Sequence, residues 1–93
     1  MKEFSKPNGN IKESKSNLSN NVLVLFNDDV NSYDFVIKTL IEVCNHDHIQ
    51  AEQCTFIAHH KGKCEIKNDT IDVLEGMKEE LDRRGLTTMI AKV

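Results

Sequence analysis

Val22-Leu23-Val24-Leu25-Phe26-Asn27-Asp28-Asp29-Val30 sets five apolar side chains in a row and ends them in an amide and two carboxylates. A short apolar run closed by polar turn formers reads as a buried strand. Downstream, Tyr33, Val36, Ile37, Leu40, Ile41 and Cys44 fall on one face at helical spacing, with Phe35 beside them. Ser32 is placed to cap this helix, and Asp34 in its first turn suits the helix dipole. Strand, polar turn and amphipathic helix therefore follow one another with almost no linker. The turn sits on a rigid stem, as a binding group requires. Asn27, Asp28 and Asp29 present only acceptor oxygens and one amide donor, so they suit an ammonium group and would repel an oxyanion or phosphate. The plainer alternative is that the two acids only cap and charge the helix that follows.

Working outward, Asp47 with Gln50 three residues later resembles the capping box of a second helix, running to about His60 and closed by Gly62. Lys63 to Ile66 reads as a short strand. Asn68-Asp69-Thr70 opens a third helix with Ile71, Val73, Leu74, Met77 and Leu81 as its apolar set, ended by Arg83, Arg84 and Gly85. Leu86 to Ala91 reads as the last strand. The order β-α-α-β-α-β predicts an α+β fold, a small three-stranded antiparallel sheet packed against three helices. Residues 1–20 are mostly Lys, Ser, Asn and Gly with isolated apolars, too few to offset the entropy of ordering, and are expected to form a flexible polar tail ahead of one domain over 21–93. Composition leaves open whether that tail is idle or an arm that engages a partner.

The 93 residues carry a formal charge of -3, with one Tyr, four Phe and no Trp. Four Lys and two Glu lie in residues 1–20, so the acidic excess belongs to the body. Such a surface offers neither the basic face nor the stacking platform that nucleic acid needs, and no nucleic-acid partner is expected. No stretch approaches the ~20 apolar residues of a membrane span, and the start lacks a secretory h-region, which points to a cytoplasmic protein with no membrane partner. Cys44, Cys54 and Cys64 are odd in number and are expected as reduced, mostly buried thiols.

Two chemical alternatives follow from composition. Cys44, His46, His48, Cys54, His59, His60 and Cys64 are ligand types that zinc accepts, but no CxxC or HxxxH unit spaces them for it. A nucleophilic Cys with His59 and Asp29 would need an electropositive, exposed thiol, and only Cys64, beside Lys63, comes near that condition. Neither a catalytic residue nor a cofactor is expected.

His59 ends the second helix within Phe56-Ile57-Ala58-His59-His60-Lys61-Gly62-Lys63, where a neutral imidazole can accept a hydrogen bond from an ammonium group; taken by itself it reads as a surface or capping histidine. Asn27-Asp28-Asp29, then Asp34-Phe35-Val36, then His59 with His60-Lys61-Gly62-Lys63, together resemble the ClpS adaptor family. That family delivers proteins bearing bulky N-terminal residues to a Clp-type AAA+ unfoldase and its protease. The resemblance runs without a gap from about Val22 to Lys63. It implies a monomeric, non-enzymatic adaptor whose partners are substrate N-termini and a Clp-family unfoldase. The residues matching Asn27, Asp29 and His59, with Asp28 alongside, would hold the substrate's free α-amino group. Its first side chain would enter a pocket involving Asn31, Tyr33, Val36, Thr55 and Ala58, with a contribution from the last strand.

The chain also departs from that pattern. Asn31, Ser32 and Tyr33 stand where Thr, Pro and Met are usual, and Thr55 and Ala58 where Met and Val are usual. The pocket wall is expected to lose apolar volume and gain polar groups, with Tyr33 either refilling the space or narrowing the entrance, and hence to keep the amine clamp while changing its side-chain preference, or to have lost degron binding altogether. The third helix is shorter than the family's. Asp72 and Glu75 match acidic positions but Met77 falls where Lys is common, so unfoldase contacts do not transfer, and Thr87 and Met89 are both candidates for the last strand's contribution.

Overall fold

The computed structural model describes residues 21–93; the expected tail, 1–20, lies outside the described residues. Strand β1 (Asn21–Phe26) is followed by helices α1 (Tyr33–Cys44) and α2 (His48–Lys61), strand β2 (Lys63–Asp69), helix α3 (Ile71–Arg83) and strand β3 (Thr87–Lys92). This is the expected β-α-α-β-α-β order. The sheet runs β2-β1-β3, with both pairings antiparallel.

Central placement explains why β1 is almost wholly apolar. Leu23 and Leu25 enter the core beneath the helices, while Val22 and Val24, on the other face, are also buried between flanking strands; Phe26, at the strand's end, is only half covered. Ile37, Leu40 and Cys44 from α1, Ala51 and Ala58 from α2, and Leu74 and Leu81 from α3 close over Leu23 and Leu25, joined by Cys64, Ile66 and Leu86. Each fully buried Leu contributes ~2 kcal/mol of transfer free energy, enough for a small core to hold strand and helices in fixed relation.

The helix starts follow their side chains. Ser32 Oγ accepts from Phe35 N at 3.1 Å, Asp47 Oδ1 from Gln50 N at 2.7 Å, and Thr70 Oγ1 from Val73 N at 3.4 Å. Gly62 closes α2 at φ 95°, its N–H donating to the Ala58 carbonyl at 2.9 Å. That left-handed conformation is strained for a residue with a Cβ, so glycine is needed there.

Two elements differ from the sequence expectation. β2 continues past Ile66 to Asp69, because a bulge opposite Leu23/Val24 absorbs one residue and lets Lys67, Asn68 and Asp69 pair with Leu23, Val22 and Asn21. Thr70, the last residue of the expected Asn68-Asp69-Thr70 opening, caps α3, which begins at Ile71. Of its apolar set, Ile71 and Val73 are substantially exposed; only Leu74 and Leu81 are fully buried.

Candidate functional site

Asn27 leaves β1 with its backbone N–H donating to the Gly62 carbonyl at 2.9 Å. This bond fastens the end of the central strand to the cap of α2, and so brings the polar turn against the last turn of that helix. Between them lies an open pocket of about 230 Å³. Asn27, Asp28 and Asp29 line it from the turn, Asn31 and Tyr33 from the entry to α1, and Val36 from the first turns of α1. Thr55, Ala58 and His59 line it from α2. All nine residues singled out from the sequence thus border one cavity. Leu25 and Phe26 border it as well. The sequence signalled these two only as strand residues; their nearness follows from the strand ending at the pocket floor. Neither Thr87 nor Met89 reaches the pocket: Met89 pairs with Val24 and borders a depression on the far side of the sheet.

The two adjacent carboxylates do different things. Asp28 Oδ1 accepts from Val30 N at 2.9 Å and Asn31 N at 2.8 Å, and Asn31 Nδ2 donates to Asp28 Oδ2 at 3.1 Å. Burial works to raise the Asp28 pKa, but these backbone and side-chain bonds from Asn31 and Val30 outweigh it and hold the carboxyl below its usual range. The Asn31 amide also donates to the Gly85 carbonyl at 2.9 Å, tying the turn to the start of the last strand. Asp28 is therefore the internal fastening of the turn. Asp29 is exposed and, among the described residues, no hydrogen bond engages its side chain or those of Asn27 and His59. These three carry acceptor atoms available to a ligand.

The side-chain end of the pocket is less polar than its composition suggests. Thr55 Oγ1 donates to the Ala51 carbonyl at 2.8 Å, inside its own helix, and Asn31 spends its amide on Asp28 and Gly85. Thr55 therefore makes no unmet polar demand on an incoming group, whereas Asn31 keeps an acceptor, its Oδ1, that no hydrogen bond engages among the described residues. The Tyr33 ring stands edge-on to the His59 imidazole, centroids 5.9 Å apart at 87°. It walls the pocket beside the imidazole and limits the ring's freedom to swing away.

The other titratable candidates are used elsewhere. Burial pushes the Cys44 thiol up to about 11, and burial together with contact to Cys54 pushes Cys64 up to about 12, so both stay protonated at neutral pH and are poor nucleophiles. His46 is buried with Nε2 donating to the Ile66 carbonyl at 2.8 Å. Among the described residues, no group of three or more His, Cys, Asp or Glu is arranged to hold a metal ion. Among them, no helix is long and apolar enough to cross a membrane.

Comparison with known proteins agrees with this architecture. The family model described as "ATP-dependent Clp protease adaptor protein ClpS" matches residues 17–88. Among solved structures, that of Agrobacterium tumefaciens ClpS2 bound to L-phenylalaninamide superposes with a TM-score of 0.69 at 18% identity, covering 78% of this chain and 95% of the other. At that identity the likeness is one of fold. No curated protein matches the chain in sequence.

Proposed function

Since the chain belongs to the ClpS family of Clp protease adaptors, we propose that its pocket holds the free α-amino group and first side chain of substrate proteins, which it hands to a Clp-family AAA+ unfoldase in the cytoplasm. The observation that carries this reading is the meeting of Asn27, Asp29 and His59 around one cavity whose remaining wall is Tyr33, Val36, Thr55 and Ala58. An α-amine, with an ordinary pKa near ~8, is mostly protonated at neutral pH. Asp29 supplies the countercharge, the Asn27 carbonyl a second acceptor, and a neutral His59 nitrogen a third, which together exhaust the three N–H donors of the ammonium. The relative bound to L-phenylalaninamide, a free amine carrying an aromatic side chain, supports the same choice of ligand.

A ligand without the charged amine leaves these acceptors unmatched. Acetylation of the terminus should cost ~2–4 kcal/mol, roughly a thirtyfold to thousandfold loss of affinity. Calorimetric titration of paired free and N-acetylated peptides tests this. Equal affinities would remove the amine clamp and leave an interaction domain that kept the fold without the degron site. Because Thr55 and Ala58 give the pocket a less bulky wall and Tyr33 stands at its rim, the favoured first side chains are expected to differ from those of relatives, which a panel varying only the first residue reads directly. Residues 1–20 are the proposed delivery arm: a chain beginning near Asn20 should bind peptide unchanged yet fail to promote degradation by the unfoldase and its protease.

A further inference from the structure

Beyond Tyr33 the pocket adjoins a second, shallow depression bordered by Glu52, Gln53, Phe56 and Ile57 of α2, with Tyr33 as the shared wall. Phe56 is 54% exposed and Ile57 38% exposed. A single exposed apolar side chain needs no explanation, but a contiguous apolar patch running out of a binding pocket does. Tyr33 makes it continuous with the pocket, and Phe56 is braced from behind by the His60 ring, centroids 4.1 Å apart. On the other side of the pocket the Asn31 amide bridges Asp28 and Gly85.

We propose that this Tyr33–Phe56 depression is a second subsite, which takes an apolar third side chain of the substrate whose first residue occupies the pocket. The inference rests on the amine-clamp reading above and adds a requirement to it. A peptide held at its amino terminus leaves the pocket extended, because nothing local folds it. In an extended chain side chains alternate, so the second points away from the surface and the third returns to it ~7 Å from the first. The pocket and the depression share one wall, the Tyr33 ring, so a chain crossing it passes from one to the other. Phe56 and Ile57 provide the apolar floor, and Glu52 sets an acidic rim that disfavours a carboxylate in the same place.

The test uses free-amine peptides with one fixed first residue, the tightest binder among Phe, Tyr, Trp and Leu, and a fixed Ser second, carrying Leu, Gly or Asp third. Leu should bind about fivefold to tenfold more tightly than Gly, the gain from covering part of two apolar side chains, and Asp more weakly than Gly. Moving the Leu from third to second position should forfeit the gain. Phe56→Ala should reduce the Leu advantage below about twofold without changing affinity for the Gly peptide, Phe56→Leu should restore most of it, and Glu52→Lys should lift the Asp peptide above Gly. Binding that is indifferent to the third residue, or a Leu advantage that survives Phe56→Ala or is equal at second and third positions, overturns the subsite while leaving the amine clamp standing. Failure of every free peptide to bind, or equal binding after acetylation, overturns the clamp and the subsite with it.

Discussion

Two regions of the molecule, joined by the bond from the Asn31 amide to the Gly85 carbonyl, use the same side-chain chemistry in opposite ways. At the edge formed by α3 and β3, Lys78 Nζ donates to Asp82 Oδ2 and to the Thr88 carbonyl, both at 2.8 Å, and Thr88 Oγ1 donates to Asp82 Oδ1 at 2.9 Å. One turn on, Arg84 pairs with Glu80 and Glu42 at 2.7 Å each, joining α3 to α1. Charged groups there are spent on the protein itself. At the pocket, Asp28 is spent likewise, while its neighbour Asp29 faces the cavity with Asn27 and His59. Acid count therefore says little about where a ligand goes. What separates the two regions is whether the acceptors are already matched, since an acceptor with its own donor in place gains little from a new one.

The sharpest way to break this contrast is to exchange the roles of the two adjacent acids. Asp29→Ala should cost ~3 kcal/mol of peptide binding, on the order of a hundredfold, because an ammonium would lose its countercharge in a partly desolvated site. Its melting temperature should stay close to that of the parent. Asp28→Ala should do the reverse, costing ~1–2 kcal/mol of stability as Val30 N, Asn31 N and the Asn31 amide lose their acceptor, with binding weakened only several-fold through the loosened turn. Parallel titration calorimetry and thermal denaturation read both. A large stability loss in Asp29→Ala would place that acid with the structural ones and remove the distinction.

Residue type does not separate Asp28 from Asp29, which are the same residue in consecutive positions; only the family resemblance singled out Asp29, and nothing in the sequence signalled Asp28 as the fastening of the turn. The fold was largely legible, because its strongest signals are local: the Val22–Phe26 run, the 33-36-37-40-41-44 face and the caps at Ser32, Asp47 and Gly62 each act within a few residues. The β2 extension to Asp69 was not, since a bulge is a property of pairing between strands and leaves little trace in one of them. That these residues border one cavity was legible through the combination of the Asn27 turn with the His59 segment, although the bond that joins them, Asn27 N–H to the Gly62 carbonyl, belongs to the backbone and carries no residue preference. Thr55 misled in a different way: its hydroxyl counts as polar in a composition but is matched by Ala51 of its own helix. His46 reads as a ligand type, yet its Nε2 is occupied by the Ile66 carbonyl.

A smaller effect sharpens the comparison inside the pocket. Ala58 is buried in its wall, so Ala58→Val adds two methyl groups where a first side chain would lie. Affinity for peptides beginning with Trp or Phe should fall several-fold relative to Leu, on the scale of ~1 kcal/mol for mild overpacking, while the cost of acetylation stays the same. Equal losses for all first residues would mean that the added methyl groups disturb the amine end rather than the side-chain end.

The smallest effect belongs to the α3 edge. The hydrogen bonds from Arg83 and Arg84 depress the Glu80 carboxyl to about 2. A carboxylate whose pKa is lower in the folded chain than in the unfolded one contributes stability that is complete above the ordinary glutamate pKa of ~4.3 and is lost as pH falls toward the folded value. The melting temperature of the parent should therefore decline between about pH 4.5 and pH 2 more steeply than that of Glu80→Gln, the two curves running parallel above about pH 5. The difference should be slight and should shrink in high salt, because Glu80 is open to solvent and screening takes most of the value of an exposed pair. Peptide affinity at neutral pH should be identical in the two proteins, since no atom of Glu80 borders the pocket. A change in affinity on Glu80→Gln would mean that the self-paired edge and the pocket are coupled, through Arg84 and Glu42 to α1 or through Gly85 and Asn31 to the turn, and the division between them would no longer hold.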